Sequence, residues 1–236
     1  MRPGSFAQIR YAGPPGWRRI PPVTRATLAL SAAGYVAGLV APDVLRLLAA
    51  DPYAILRLEL WRLATYPLVV QGIWNLLFGL LLFWALGSDL EPDWGARKYG
   101  LFLISAVVAA GLLGVGAAAA TDFRPGAVGY GISGLLTAVI AAWAWVGPRL
   151  PVSFFGVLPM TRGIFAVLSV VLIVFGELES SRSAVRLVFL VGGIPVAWLF
   201  TRGTGRWRPS GPGRRWARFA GRRRFRVVPG EPERFH

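Results

Sequence analysis

The sequence predicts an all-α integral membrane protein: six transmembrane helices, with a partly embedded outward hairpin between the first and the second. Three observations predict it. The chain of 236 residues is 55% hydrophobic, and its mean hydropathy of +0.53 is well above that of a soluble domain. Its apolar residues fall in six blocks that approach the roughly 20 residues a helix needs to cross a bilayer. Its net charge of +15 is concentrated at the two ends: residues 1–26 hold five Arg and no acid, and residues 202–236 hold eleven Arg against Glu231 and Glu233.

These features divide the chain into a basic N-terminal tail (1–24), a membrane domain (25–202) and an Arg-rich C-terminal tail (203–236). The first block, 28–40, follows a Pro-, Gly- and Arg-rich stretch that lacks the short apolar core and cleavage site of a leader, so it reads as a retained span. Residues 41–66 contain "DPYAILRLELWRLATYP", too polar to span and too apolar for a free loop. This is the expected interfacial element, and protein must satisfy its backbone. Block 67–87 carries no charge. Blocks 100–120 and 127–147 are rich in Gly and Ala, which let helices approach closely in lipid. Block 154–176 is interrupted near 159–162, so the pattern does not fix its start. Block 184–200 carries Arg186 near one end, then Gly192-Gly193 and Pro195, a kinked close-contact face.

Six spans put both tails on one side, and their charge places that side in the cytoplasm. The Arg97-Lys98 turn and the 148–162 loop then face inward, while outward segments carry Asp43, Asp51, Glu59, Asp122, Glu177 and Glu179. Lys98 is the only lysine among 26 basic residues, a bias in keeping with a GC-rich bacterial genome. The expected location is therefore a bacterial inner (plasma) membrane, crossed several times, with both termini cytoplasmic. Arg222, Arg223 and Arg224 lie in "RRWARFAGRRRFRVV", a flank that holds topology and can contact anionic lipid headgroups. No folded recognition module surrounds it, so nucleic acid is not an expected partner. Without cysteine there is no disulfide, thiolate metal site or thiol nucleophile. With His236 as the single histidine, no zinc centre is expected. The reading includes no metal and no cofactor.

The stretch "AVGYGISGLLTAV" sets Ser133 between Gly131 and Gly134 in an apolar run. Such a serine is either a nucleophile or a small residue at a helix contact, bonding back to a carbonyl one turn earlier.

Several pieces occur in an order that resembles the rhomboid intramembrane serine protease family. They are Glu59-Leu60-Trp61-Arg62, then Gly87, Glu91, Trp94 and Gly95 in "GSDLEPDWG", then Gly131, Ser133 and Gly134, and finally Gly193 in the last block. The resemblance covers roughly residues 25–202 and implies a rhomboid-like bundle. In it, Trp61 and Arg62 belong to the embedded hairpin, and Glu91 braces the inner end of the second and third helices. Ser133 takes the nucleophile position. The general-base histidine position falls on Leu190, the oxyanion positions fall on Asn75 and Gly79, and the aromatic that stacks on the histidine is Thr137.

A serine needs an adjacent base, and leucine cannot accept a proton. The resemblance thus implies a pseudoprotease that binds transmembrane segments or a membrane complex without cutting them, its partners being the lipid bilayer and the helices of client proteins. This reading requires that no carboxylate, amine or ring nitrogen lie within hydrogen-bond reach of Ser133 Oγ. Two alternatives stay open: an active intramembrane serine endopeptidase using Ser133, and an accessory structural subunit of a membrane assembly.

Overall fold

The computed structural model describes residues 20–120, 129, 131–148, 150–154, 158–180 and 183–202. The expectations for most of the N-terminal tail, and for Arg222, Arg223 and Arg224, lie outside these residues. Helix α1 (Pro22–Val40) starts inside the stretch assigned to the basic tail, with proline at its first position, where a missing N–H costs nothing. Three short helices follow: α2 (Pro42–Leu48), α3 (Pro52–Leu56) and α4 (Arg62–Thr65), the last continuing into a 3₁₀ turn, Tyr66–Leu68. Then come α5 (Ile73–Trp94), α6 (Ala96–Ala120), α7 (Ser133–Val146), α8 (Arg162–Ser180), α9 (Ala184–Val191) and α10 (Ile194–Arg202).

Among the described residues, four stretches are long and apolar enough to cross a membrane: Pro22–Val40, Ile73–Trp94, Ala96–Ala120 and Val185–Arg202. The expected count of six is met only that far. Block 127–147 yields a helix of 14 residues, because Gly131 at φ +100° stops α7 from extending backwards past Ser133. Block 154–176 yields α8, whose apolar run is flanked by Arg162 and by Glu177 and Glu179. The all-α expectation is corrected by one antiparallel hairpin, β1 (Pro151–Phe154) with β2 (Leu158–Thr161), paired from Pro151–Thr161 to Phe154–Leu158. It occupies the interruption before α8.

Helix α7 is the core. Gly134 through Ile140 are buried, as are Ala142, Trp143 and Ala144, because α5, α6, α8, α9 and α10 all contact it. Close approach depends on missing side chains. A Cβ on Gly134 would stand 2.7 Å from the Phe189 carbonyl oxygen, and one on Gly193 would stand 2.9 Å from Ala138 Cβ. Gly192 and Gly193 separate α9 from α10, so the expected break is present.

The bundle has two distinct ends. At one, Glu91 of α5 accepts hydrogen bonds from Val23 N (2.9 Å), Thr24 N (2.7 Å) and Thr24 Oγ1 (2.8 Å). It satisfies N–H groups that the start of α1 would otherwise leave bare. These bonds brace α5 against α1, and Glu91 also acts electrostatically on Tyr99 of α6. Gly87 admits Thr24, whose Oγ1 would stand 2.7 Å from an added Cβ. At the same end, Trp143 Nε1 donates to Asp89 (3.1 Å) and Arg162 pairs with Asp89 at 3.4 Å. Gly95, at φ +81°, turns the chain into α6, and Trp94 packs edge-on against Phe102 and stacks on Phe200. At the other end lie the first turn of α5, the start of α7 and the α8–α9 junction.

Candidate functional site

Ser133 opens α7 at that second end. Its hydroxyl donates to Glu177 Oε1 at 3.1 Å, and Glu177 Oε2 pairs with Arg186 at 2.9 Å. The side chains of Arg186 and Glu177 are only 9% and 13% exposed, so water screens the pair little. Three helices thereby meet in one polar cluster: α7 through Ser133, α8 through Glu177 and α9 through Arg186. The requirement that no carboxylate touch Ser133 Oγ is not met, and among the described residues the serine bonds back to no carbonyl one turn earlier.

That local role belongs to Thr137. Its buried hydroxyl shares one hydrogen between the carbonyl oxygens of Gly134 (2.9 Å) and Leu190. Leu190 itself is buried and presents only backbone and aliphatic surface beside Ser133. A cavity of about 10 Å³ separates Ser133 from Tyr66 and Phe189. Tyr66 donates to the Val107 carbonyl at 3.2 Å, and burial pushes its phenol above the usual range, so it stays protonated. It cannot take a proton from the serine.

A second cavity, of about 300 Å³, opens on the other side of Ser133. Gln71, Asn75, Ser133, Glu177 and Arg186 supply its polar wall. Asn75 is exposed. Gly79, one turn on, is buried and faces Ile132, whose Cγ2 would stand 2.8 Å from an added Cβ. Ser133 thus shares one cavity with Leu190 and another with Asn75, and Gly79 is a packing position. Among the described residues no group of His, Cys, Asp and Glu is placed to hold a metal.

The hairpin region is held from within. Arg62 pairs with Glu59 at 2.6 Å and donates to the carbonyls of Ala49 (3.0 Å) and Arg46. It ties α2 and α4 into one unit, and Ala50 and Gly129 exchange backbone hydrogen bonds of 2.9 and 3.0 Å that hold this unit near α7. Trp61 is exposed and donates to the Leu47 carbonyl at 3.3 Å. Gly131 N donates to the Tyr66 carbonyl at 3.2 Å, fixing the loop that precedes Ser133.

Sequence reasoning set Glu177 aside as an outward acid and did not single out Arg186 as a site residue. One signal could have found them: opposite charges close to the facing ends of two consecutive apolar helices, where ionisable residues seek each other.

No curated protein matches the chain. A family profile matches residues 24–225, and its description is "Eukaryotic integral membrane protein (DUF1751)". The match overturns the resemblance to rhomboid proteases, since it assigns the chain elsewhere. The roles that the resemblance lent to Ser133, Leu190, Asn75 and Gly79 lapse with it, and their geometry stands. It also corrects the bacterial inner-membrane location, because the family is eukaryotic. The membrane character holds, and with it contact with a lipid bilayer: over most of its length the chain belongs to this family of eukaryotic integral membrane proteins.

Proposed function

We propose that the protein binds transmembrane segments of other membrane proteins, singly or within a complex, and does not cut them. The condition that no carboxylate reach Ser133 Oγ fails, so the reading rests instead on how that carboxylate is held. The Ser133 hydroxyl donates into a carboxylate whose other oxygen pairs with Arg186. A nucleophilic serine needs a base that takes its proton and returns it. A carboxylate is a weaker base than imidazole by about two pH units. Glu177 is already committed through its other oxygen to Arg186, so it is not a free acceptor for the serine proton.

The cavity suits binding better than turnover. Its wall carries one acid, one base, a hydroxyl and the amides of Gln71 and Asn75. In lipid a partner's polar group has few other places to be satisfied. We place six crossings in the bilayer, adding α7 and α8 to the four long apolar stretches, with α2–α4 partly embedded between the first two crossings. Exposed Leu56, Leu58 and Leu60 support that placement of the short helices.

The 3.1 Å contact favours a second reading, hydrolysis by Ser133 with Glu177 as proton acceptor. Two measurements separate them. A photo-crosslinking side chain in place of Asn75, in cell membranes, captures transmembrane segments of other proteins if the first reading holds. A fluorophosphonate probe that labels Ser133, and fails to do so in Glu177→Gln, replaces binding by hydrolysis.

A further inference from the structure

The polar wall of the cavity beside Ser133, of about 300 Å³, is unevenly committed. Among its lining residues the charged groups are Glu177 and Arg186, and they neutralise each other at 2.9 Å. Ser133 donates into the same pair. That leaves Gln71 and Asn75. Both are exposed, and among the described residues neither side-chain amide is engaged in a hydrogen bond. Each can donate through its nitrogen and accept through its oxygen.

Asn75 lies in the first turn of α5, beside an apolar face. Trp74, Leu77, Phe78 and Leu81 follow the spacing of one helix face, and all are exposed, Trp74 to 69% and Phe78 to 64%. An apolar helix laid on that face brings only its side chains to the cavity, because a helix satisfies its own N–H and C=O groups. We infer that the partner segment carries a neutral carboxamide, Asn or Gln, which exchanges hydrogen bonds with Asn75 and Gln71. This rests on the reading that the cavity receives transmembrane segments. Two carboxamides can donate to and accept from each other at once, and they leave no charge uncompensated. A carboxylate or an ammonium on the partner would instead have to draw Arg186 or Glu177 out of their pair, whose side chains are 9% and 13% exposed. Breaking a buried pair is strongly unfavourable.

Energy transfer in phosphatidylcholine vesicles tests this, with the ten tryptophans of the full-length protein as donors. The acceptors are dilute, dansyl-labelled Leu/Ala helices of about 20 residues, free of tryptophan. Each carries one variable residue a turn from its end: Leu, Asn, Asp or Lys. The Asn helix binds about fivefold more tightly than the Leu helix, the scale of one hydrogen-bonded amide between helices in lipid. Gln71→Leu combined with Asn75→Leu abolishes the difference, and Asn75→Gln keeps it. Both positions are exposed, so their replacement leaves folding intact. Equal binding of the Asn and Leu helices by wild type overturns the carboxamide and leaves the binding reading standing. Tighter binding of the Asp or Lys helix does the same, as does an Asn preference that survives the double replacement. Transfer to none of the helices overturns both.

Discussion

Ser133 and Glu177 stand 44 residues apart in sequence and meet at 3.1 Å. The contact makes the serine the end of a chain that runs through Glu177 to Arg186, and it joins three helices by side chains alone. Charged hydrogen bonds are about twice as strong as neutral ones, so this link outweighs the neutral bridge from Thr137 of α7 to the Leu190 carbonyl of α9.

The ion pair should therefore behave as a buried pair. Glu177→Ala removes the carboxylate that pairs with Arg186 and lowers stability by about 3 kcal/mol, the low end of the range for such a break because both side chains keep some contact with water. The double change Glu177→Leu with Arg186→Met removes both charges and recovers most of the loss. Thermal unfolding in detergent micelles measures both. A double variant as unstable as the single one would show that the charges are not a pair in solution.

How much of this was legible in the sequence follows from the range of each signal. Ser133 between two glycines and the Gly192-Gly193 break are local, and each appears where the pattern put it. Hydropathy alone does not mark the start of α7, because it does not register the left-handed Gly131 within an apolar run. The link from Glu91 to α1 was not legible because its partners there lie 67 and 68 residues away. Glu177 was read as a loop acid for the same reason: a period of 3.6 shows which residues share a helix face, not which helix that face meets. Family-like spacing was the least reliable signal of all, since a short ordered set of glycines, a serine and a tryptophan fits more than one membrane family.

Glu91 provides a second prediction. Its carboxylate accepts from two backbone N–H groups and one hydroxyl at the start of α1. Glu91→Ala removes all three and buries bare donors, lowering stability by about 3 kcal/mol or more, at 1.5–3 for each hydrogen bond to a charged group. Thr24→Val removes only one and costs about 1–2 kcal/mol. Hydrogen exchange should speed up first at Val23 and Thr24 in the Glu91 variant. Exchange that rises uniformly across the bundle instead would contradict a local capping role.

Gly134 yields a third. Alanine there would place its Cβ 2.7 Å from the Phe189 carbonyl oxygen, a backbone atom that cannot rotate aside. Overpacking of this kind costs about 1–3 kcal/mol. Gly116, by contrast, has nothing within 4 Å of an added Cβ, and Gly116→Ala should stabilise α6 by a few tenths to about 1 kcal/mol through helix propensity. Melting temperatures of the two variants should move in opposite directions. A shared direction would mean that α7 and α9 are less closely packed than the distances require.

Thr137 separates packing from hydrogen bonding. Thr137→Val keeps the shape and removes the hydroxyl that bridges α7 to the Leu190 carbonyl. The lost bond costs about 1 kcal/mol, and the carbonyls left behind add to it because the site is fully buried. Thr137→Ser keeps the hydroxyl and deletes one methyl group, which costs about 1 kcal/mol through the small cavity it opens. The two stability losses are similar, so stability alone does not tell them apart. Hydrogen exchange at α9 does. Valine frees the α9 backbone and accelerates exchange at Phe189 and Leu190, while serine leaves those amides protected. Equal protection in both variants would remove Thr137 as the link that positions α9 behind Ser133.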